Sequence, residues 1–382
     1  TDSGREGEYI YRLVEKMAGV HGKQRKRVWI DSQTEEEILR GVREAKDLSE
    51  YDHLSEAAYL RAKEDYLMGI NFSRLLTLKY GRNISGYLKK DRVVISVGRV
   101  MTCVLGMVVR REREIREFVK TPFYRVIESV NVDGHTFTGE WRAVKGSAYF
   151  ESPKLYKENG FKEKEEAKKL IAVLKEGTSP LTCRIVSIEK KKEKKNPPLL
   201  FNLAELQNEC SKRFKISPDE TLRIVQELYE KKLVTYPRTD ARVLSTAVSK
   251  EITKNLNGLS KYQMTAPYMQ DILHYGAYKN LAKTRYVNDK QITDHYAIIP
   301  TGQGLSALNS VSATAHRVYD VIVRRFLSIF YPPAVYQKVA LVTQIGKEQF
   351  FSNFRVLAEE GYLKVAGVPA PKKNANGNDA EG

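Results

Sequence analysis

The sequence LVTYPRTD at residues 233–240 places a tyrosine in a distinctive chemical setting. A short apolar run precedes Tyr236, Pro237 restricts the backbone after it, and a guanidinium, a hydroxyl and a carboxylate follow. A tyrosinate that attacks a phosphodiester needs a permanent positive charge beside the pentavalent phosphorus, and Arg238 is close in sequence. Because the chain has 22 tyrosines, the stretch predicts either a catalytic tyrosine or a surface turn around a packed one.

The residues around Tyr236 have the pattern of a helical unit. Residues 202–214 predict one helix, and Pro218 begins a second helix with Ser217 as its N-cap. A final helix is predicted over residues 312–330. Tyr236 is therefore expected where a helix ends and the chain turns sharply.

Strand-like sequence lies on both sides of this helical unit. Alternating apolar and polar residues predict strands between residues 122 and 189, and strand character resumes over 335–342. The run KKKEKKNPP at residues 190–198 indicates a hinge, because dense positive charge precedes two prolines. The helical unit is therefore predicted to be an insertion in a β region.

The chain opens with TDSGREGE at residues 1–8, which is typical of a strand leading into a helix N-terminus. Acidic side chains at such a terminus complement the helix dipole, which is a structural explanation for them. The functional alternative is a divalent-metal site, since Asp2 and Glu6 offer the hard oxygen ligands that Mg²⁺ prefers. Because the motif is already under way at Thr1, the chain is expected to be a fragment.

Between this opening and the β region, the pattern is mostly helical. Residues 27–30 predict a short strand, and Thr34 with Glu37 forms a capping-box pattern for the next helix. Long helices are predicted over residues 54–78 and from the SVGRV sequence to residue 118. Arg99 follows a glycine at a loop-to-helix junction, where backbone N–H groups and the guanidinium could both meet a phosphate.

The composition indicates an acidic partner. A chain of 382 residues suggests about two to four domains, and 64 Lys and Arg against 47 Asp and Glu give a formal net charge of +17. A polyanion is the first interpretation, and a merely basic surface is the alternative. The 3 cysteines lack metal-ligand spacing, which favours a reducing compartment and argues against a zinc ribbon. We find no membrane-length apolar run or signal peptide, so an intracellular protein is expected.

Several motifs occur in a fixed order: TDSGREGE at 1–8, SVGRV at 96–100, YPRTD at 236–240 and HYAIIP at 295–300. Together they resemble the type IA DNA topoisomerases, nearest the topoisomerase III branch, over nearly the whole chain to about Val365. This resemblance implies an isomerase that cuts one DNA strand, passes another through the break and reseals it without ATP. The implied intermediate is a 5′-phosphotyrosine ester.

The resemblance also implies roles for individual residues. Tyr236 matches the nucleophile, Arg238 matches the arginine that stabilises the phosphate, and His295 matches a histidine near the active site. From the residues alone, a core histidine with satisfied hydrogen bonds is the preferred interpretation of His295. Asp2 and Glu6 match acids of the Toprim site that bind Mg²⁺, and Glu6 is the candidate proton donor to the leaving 3′ oxygen. The implied DNA-binding residues are Arg5, Arg61, Arg74, Ser96, Arg99 and Arg238.

The implied fold class is α+β and multidomain, a toroidal clamp with a helical Tyr domain inserted into a β arch. The predicted domains are the C-terminal part of Toprim (1–26), a helical DNA-binding domain (27–121), the first part of the β arch (122–196), the helical Tyr domain (197–333), the return of the arch (334–357), and a return to the helical domain with a disordered tail (358–382). The lysine-rich hinge would let the arch open. Single-stranded and negatively supercoiled DNA are the implied partners of a monomer in the bacterial cytoplasm, associated with the nucleoid.

The chain departs from the family pattern at specific positions. Gly4 stands where a second Asp is usual, and the first Toprim glutamate and its nearby lysine would precede Thr1. Met101 and Cys103 replace a frequent Gln and Pro. Two other classes therefore stay open: a non-catalytic clamp for single-stranded nucleic acid, and a tyrosine recombinase or nickase. The last would need a larger Arg and His set or a His cluster, and the 6 histidines form none.

Overall fold

The computed structural model describes residues 1–30, 35–176, 181–292 and 294–368. The chain divides into two compact units, each built from two separate stretches of sequence. The first unit comprises residues 1–118 and 199–326, and the second comprises residues 119–198 and those from Leu327 onward. The finer division into six segments stays a prediction.

The described residues form both α-helices and β-strands. The α-helices are α1 (Arg5–Ala18), α2 (Glu35–Arg43), α3 (Asp52–Leu88), α4 (Arg99–Arg116), α5 (Lys164–Lys175), α6 (Leu203–Phe214), α7 (Pro218–Glu230), α8 (Thr246–Leu259), α9 (Ala266–Tyr275), α10 (Ala313–Ser328) and α11 (Leu363–Ala366). The β-strands are β1 (Lys26–Arg27), β2 (Lys46–Asp47), β3 (Ile127–Val132), β4 (His135–Arg142), β5 (Leu155–Lys157), β6 (Gly160–Phe161), β7 (Arg184–Lys195), β8 (Ala334–Ile345) and β9 (Glu348–Glu359).

The first part of the first unit follows the predicted pattern with shifted boundaries. The strand predicted over residues 27–30 is only β1, which pairs antiparallel with β2. The helix predicted over residues 54–78 is the much longer α3, which ends at Lys89 in the left-handed conformation. Thr34 of the expected capping box lies outside the described residues.

The second part of the first unit contains a dense core. The predicted N-cap Ser217 is confirmed, since its hydroxyl accepts from the Glu220 N–H, and the structure adds a second cap, the Asn202 side chain, which accepts from the Glu205 N–H. Such caps satisfy amide groups that the first helical turn leaves unpaired. The fully buried apolar side chains of helices α6, α7, α8 and α10 include Leu206, Val225, Leu228, Leu256, Val318, Ile322 and Phe326. Tyr236 follows α7 on this rigid support.

The second unit is organised around a five-stranded antiparallel sheet with strand order β3–β4–β9–β8–β7. Trp141 stacks on Phe161 with ring centroids 4.9 Å apart, and Phe350 belongs to the same core cluster. The buried carboxylate of Glu348 accepts hydrogen bonds from Trp141 Nε1 and the Ser147 hydroxyl, both at 2.6 Å. These hydrogen bonds compensate the free-energy cost of removing the carboxylate from water.

The expectation that residues 190–198 form a hinge is wrong for its lysine-rich part. Lys190 to Lys195 belong to β7 and pair with β8, from Lys190 opposite Val339 to Lys195 opposite Ala334. The physical reason is that β7 is an edge strand, where lysine side chains remain in water and discourage pairing with other chains. The prolines at 197 and 198 come only after the strand has ended.

The last described residues pack within the second unit. Leu363 at the start of α11 and Tyr362 are buried together with Ala334. The disordered tail predicted for the end of the chain falls on residues 369–382, which lie outside the described residues. In the described part of the chain, we find no helix with the length and apolar character of a membrane span.

Candidate active site

A cavity of about 630 Å³ in the first unit lies against the predicted nucleophile. Its walls include Tyr236, His295 and Asp2, which are distant in sequence and which the motifs singled out. Tyr229 and Lys232, which the motifs did not single out, also line it. The cavity therefore joins three predicted site residues to two new ones.

Backbone pairing brings Tyr236 and His295 together. The Thr235 N–H donates to the Ile299 carbonyl at 3.0 Å, and the Ile299 N–H donates back to the Thr235 hydroxyl at 3.0 Å. On the other side of Tyr236, the buried Thr239 hydroxyl donates to the His295 carbonyl at 3.0 Å. The sequence HYAIIP therefore lies alongside YPRTD, and its histidine faces the tyrosine.

The Tyr236 ring is held between two aromatic neighbours. Its centroid lies 4.2 Å from that of His295, at an interplanar angle of 39°. On another side, Tyr229 at the end of α7 makes an edge-to-face contact with a centroid distance of 5.4 Å. Such contacts are each worth about 0.5–1.5 kcal/mol beyond area burial. They limit rotation of a half-buried phenol that borders the cavity.

The loop that carries Asp2 is fixed from several directions. The Arg27 guanidinium donates to the carbonyls of Asp2 and Thr1, at 2.6 and 3.2 Å, and the Ser3 hydroxyl accepts from the Ile30 N–H at 2.8 Å. At Gly7, a Cβ would lie 2.0 Å from the Asp2 carbonyl oxygen, so this position excludes any side chain. Asp2 Oδ2 consequently lies 3.6 Å from His295 Nε2.

A buried ion pair supports this loop. The Glu8 carboxylate is fully buried and accepts from Arg27 Nε at 3.0 Å and from Arg12 Nε at 2.7 Å. A buried carboxylate of this kind is tolerable only when cations and hydrogen bonds compensate its desolvation. The sequence analysis did not single out Arg27. An acid on the buried face of α1 nevertheless indicates that a cation must pair with it.

Two of the predicted catalytic residues do not border the cavity. Glu6 is exposed, and its Oε1 lies 3.6 Å from an Nη of Arg61. Arg238 is also exposed, and it is not among the residues that line the cavity. The structure thus brings together Tyr236, His295 and Asp2, whereas the roles of Glu6 and Arg238 stay predictions.

Predicted DNA-binding arginines meet in a second cavity of about 700 Å³, which Arg5, Arg61 and Arg99 line. The Arg99 guanidinium makes a two-point contact with the Asp65 carboxylate, including a 2.9 Å bond from Nη2 to Oδ2. This hydrogen bonding holds the pKa of Asp65 below its ordinary value. A phosphate at this cavity would compete with Asp65 for Arg99.

The remaining predicted DNA contacts, Arg74 and Ser96, are exposed and line neither cavity. The loop that contains Ser96 is attached to α3 by two backbone groups. The Ile95 N–H donates to the Thr77 hydroxyl at 2.9 Å, and the Val97 N–H donates to the Ser73 hydroxyl at 2.8 Å. These bonds fix the loop that leads into α4.

The predicted magnesium ligands do not make a metal site by themselves. Among the described residues, no group of three or more His, Cys, Asp or Glu side chains could hold a metal ion. Asp2 approaches His295, whereas Glu6 approaches Arg61. At Gly4, a Cβ would lie 3.8 Å from Asp294 Oδ2, which is ordinary van der Waals contact, so the position has room for a Cβ. The residues present therefore do not fit Mg²⁺ on their own.

Known proteins are similar to this chain in sequence and in fold. A family model described as DNA topoisomerase matches residues 49–380. The curated proteins named DNA topoisomerase 3 from Bacillus subtilis and Bacillus licheniformis are each 33% identical over 366 residues, which cover 96% of this chain and 46% of theirs. A full-length topoisomerase I structure from Thermotoga maritima, 22% identical, matches with a TM-score of 0.62 over 97% of this chain and 55% of its own.

The family match covers most of the chain, and the three motifs that lie within it are SVGRV, YPRTD and HYAIIP. The chain belongs to the DNA topoisomerase family. The relatives confirm the resemblance to the type IA, topoisomerase III-like branch. The chain spans about half the length of the curated relatives that it matches.

Proposed function

We propose that this protein cleaves and reseals single DNA strands through a covalent ester at Tyr236, as a type IA topoisomerase. The observation that carries the proposal is the cavity in which the Tyr236 ring meets His295 and the loop of Asp2. Neither of the rival classes from the sequence has an observation in its favour.

The chemistry is a transesterification. The Tyr236 hydroxyl loses its proton as its oxygen attacks phosphorus, the bond between phosphorus and the 3′ oxygen breaks, and that oxygen takes a proton. His295, with Asp2 beside its Nε2, is suited to receive or relay a proton or to orient the phosphate. Glu6 stays the candidate donor to the 3′ oxygen, and Arg238 the candidate charge for the phosphorane. Both would have to approach the cavity when DNA binds.

Resealing is the same reaction in reverse. A phosphotyrosine ester is close in energy to the phosphodiester that it replaces, so no ATP is needed. Passing another strand through the break between the two steps changes the linking number of the DNA. The expected substrate is single-stranded or negatively supercoiled DNA, and the net charge of +17 supports a polyanionic partner.

Mg²⁺ is the cofactor that the family resemblance suggests. Asp2 and Glu6 are the candidate ligands in this chain, and DNA phosphates or further acids would have to complete the coordination. We also expect a monomer that works in the bacterial cytoplasm in contact with the nucleoid.

The proposal is tested by covalent trapping with a labelled single-stranded oligonucleotide and Mg²⁺, followed by denaturation. The 382-residue chain is compared with a chimera extended by the preceding segment of the Bacillus subtilis relative. We expect a protein-bound label on the 5′ phosphate side of the cut, and its complete loss in Tyr236→Phe, because phenylalanine has no nucleophilic oxygen.

The matched control is Tyr66→Phe on α3, a tyrosine that does not line the cavity. It should give the same adduct as the parent chain. Binding of the oligonucleotide without any adduct in the chain and in the chimera would contradict the proposal and favour the non-catalytic clamp.

A further inference from the structure

Lys232 occupies a position where a helix ends. The Leu233 N–H donates to the Leu228 carbonyl at 2.9 Å, and the Lys232 N–H donates to the Tyr229 carbonyl at 2.8 Å. This pair of bonds is the Schellman arrangement that commonly closes helices, and Lys232 takes its left-handed position with φ 61°. Glycine is the usual residue there, because a Cβ makes this conformation unfavourable.

The surrounding chain holds this backbone in place. The Thr301 hydroxyl donates to the Lys232 carbonyl at 2.5 Å, and the Thr301 N–H donates to the Leu233 carbonyl at 3.0 Å. At Gly304, a Cβ would lie 2.5 Å from the Lys231 carbonyl oxygen, so the loop that follows Thr301 packs directly against the helix end. Lys232 therefore adopts its conformation because the fold imposes it.

Lys232 lies on the same side of the helix end as the proposed nucleophile, Tyr236. Lys232 is exposed and lines the same cavity as Tyr236 and Tyr229. No ion pair of its ammonium occurs within the described residues, whereas acids contact the arginines of the second cavity. An ammonium without an acidic partner, beside a site that must accept a phosphodiester, is suited to contact a phosphate oxygen.

We propose that Lys232 contacts a backbone phosphate of the DNA strand bound beside Tyr236. This inference rests on the proposed function and adds to it a cation outside the recognised motifs. Lys232 supplies a positive charge at the cavity wall, which Arg238 does not line.

The chain offers a matched control. Lys215 also follows a helix in the left-handed conformation, with φ 60° after α6, and it does not line the cavity. Lysine to glycine at either position removes one charge and the same backbone strain. Lys232→Gly and Lys215→Gly should therefore both melt at the parent temperature or a few degrees above it.

The experiment measures binding of a single-stranded oligonucleotide by the full 382-residue chain over a series of salt concentrations. We expect Lys232→Gly to lose affinity several-fold and to lower the slope of log K against log salt by about 0.7, the value for one phosphate contact. Lys215→Gly should bind like the parent, and Lys232→Arg should retain the parent slope. Amine-reactive labelling should show that the oligonucleotide protects Lys232 but not Lys215.

The outcomes separate this inference from the function on which it rests. A parent chain that binds DNA, with Lys232→Gly giving an unchanged slope, overturns the role of Lys232 and leaves the proposed function standing. A lower melting temperature with unchanged binding assigns Lys232 to the helix dipole instead and also overturns it. A parent chain that binds no single-stranded DNA overturns the proposed function, and the role of Lys232 with it.

Discussion

Two helical regions of the first unit differ in how they bury their apolar residues. In the 37-residue helix α3 only Ala58 and Gly81 are buried, and α4 contains no buried residue. Helices α6, α7, α8 and α10 instead contain many fully buried side chains. The exposed large apolar residues of α4 are Val100, Met101, Val104, Leu105, Met107, Val108, Val109 and Ile115.

The difference shows that apolar periodicity predicts a helix without predicting whether its apolar face is covered. Tyr236, Tyr229 and Lys232 lie in the region of this buried core, and the distant Thr301 fixes the helix end beside them. Arg61 and Arg99 lie on helices with little buried surface, where side chains can rearrange at low cost. We expect the Tyr236 side chain to be held rigidly and the Arg61 and Arg99 side chains to be more adaptable.

The largest effect should come from the buried region. Leu256 of α8 is 0% exposed, so Leu256→Ala should lower the free energy of unfolding by about 2–5 kcal/mol through lost burial and a residual cavity. Chemical denaturation monitored by circular dichroism measures this cost. A cost below about 1 kcal/mol would mean that the core around Tyr236 is loosely packed.

A smaller effect concerns a buried phenol of the same region. Burial, with a lesser effect from Asp320, raises the pKa of Tyr262 to about 12 from 10.0. The folded state therefore keeps a proton that the unfolded state releases, and stability should fall as pH rises from 10 to 12. Tyr262→Phe should remove about 2 kcal/mol of that alkaline loss.

Urea denaturation at neutral pH and between pH 10 and pH 12 checks this prediction on the Tyr262 pKa. The matched control is Tyr66→Phe on α3, where the side chain is 65% exposed and the alkaline loss should be unchanged. If both variants lost the same stability at alkaline pH, the loss would not come from the burial of Tyr262.

The smallest effect should come from the exposed region. Leu105 of α4 is 60% exposed, so Leu105→Ala should change the free energy of unfolding by no more than about 0.5 kcal/mol. The same denaturation measurement applies, and Leu256→Ala is its partner experiment. A cost near that of Leu256→Ala would show that other protein covers the apolar face of α4 in solution.

Much of the secondary structure was predictable, because helix caps and apolar periodicity are local. Ser217 and Asn202 cap their helices as their side-chain chemistry indicates. The prediction of a lysine-rich hinge is wrong because charge and proline content do not reveal which strand a segment pairs with. Only the strand β8, far away in sequence, shows that Lys190 to Lys195 form an edge strand.

The candidate site was predictable where its residues carry unusual chemistry in short motifs. Tyr236 and His295 do meet, and Asp2 lies beside them. Tyr229 and Lys232 were missed because a tyrosine and a lysine near a helix end have ordinary structural explanations. Their importance depends on which way the helix end faces, and that is decided by the contacts of Thr301 and Gly304 rather than by any local pattern.

The pairing of Lys195 with Ala334 has a consequence for protein engineering. Adjacent strands are only about 5 Å apart, so the long segment between these two residues begins and ends at neighbouring points of the sheet. A short reverse turn could bridge the same gap and connect β7 directly to β8. The sheet could therefore accept a different inserted segment at the point where the segment that contains Tyr236 now leaves and returns.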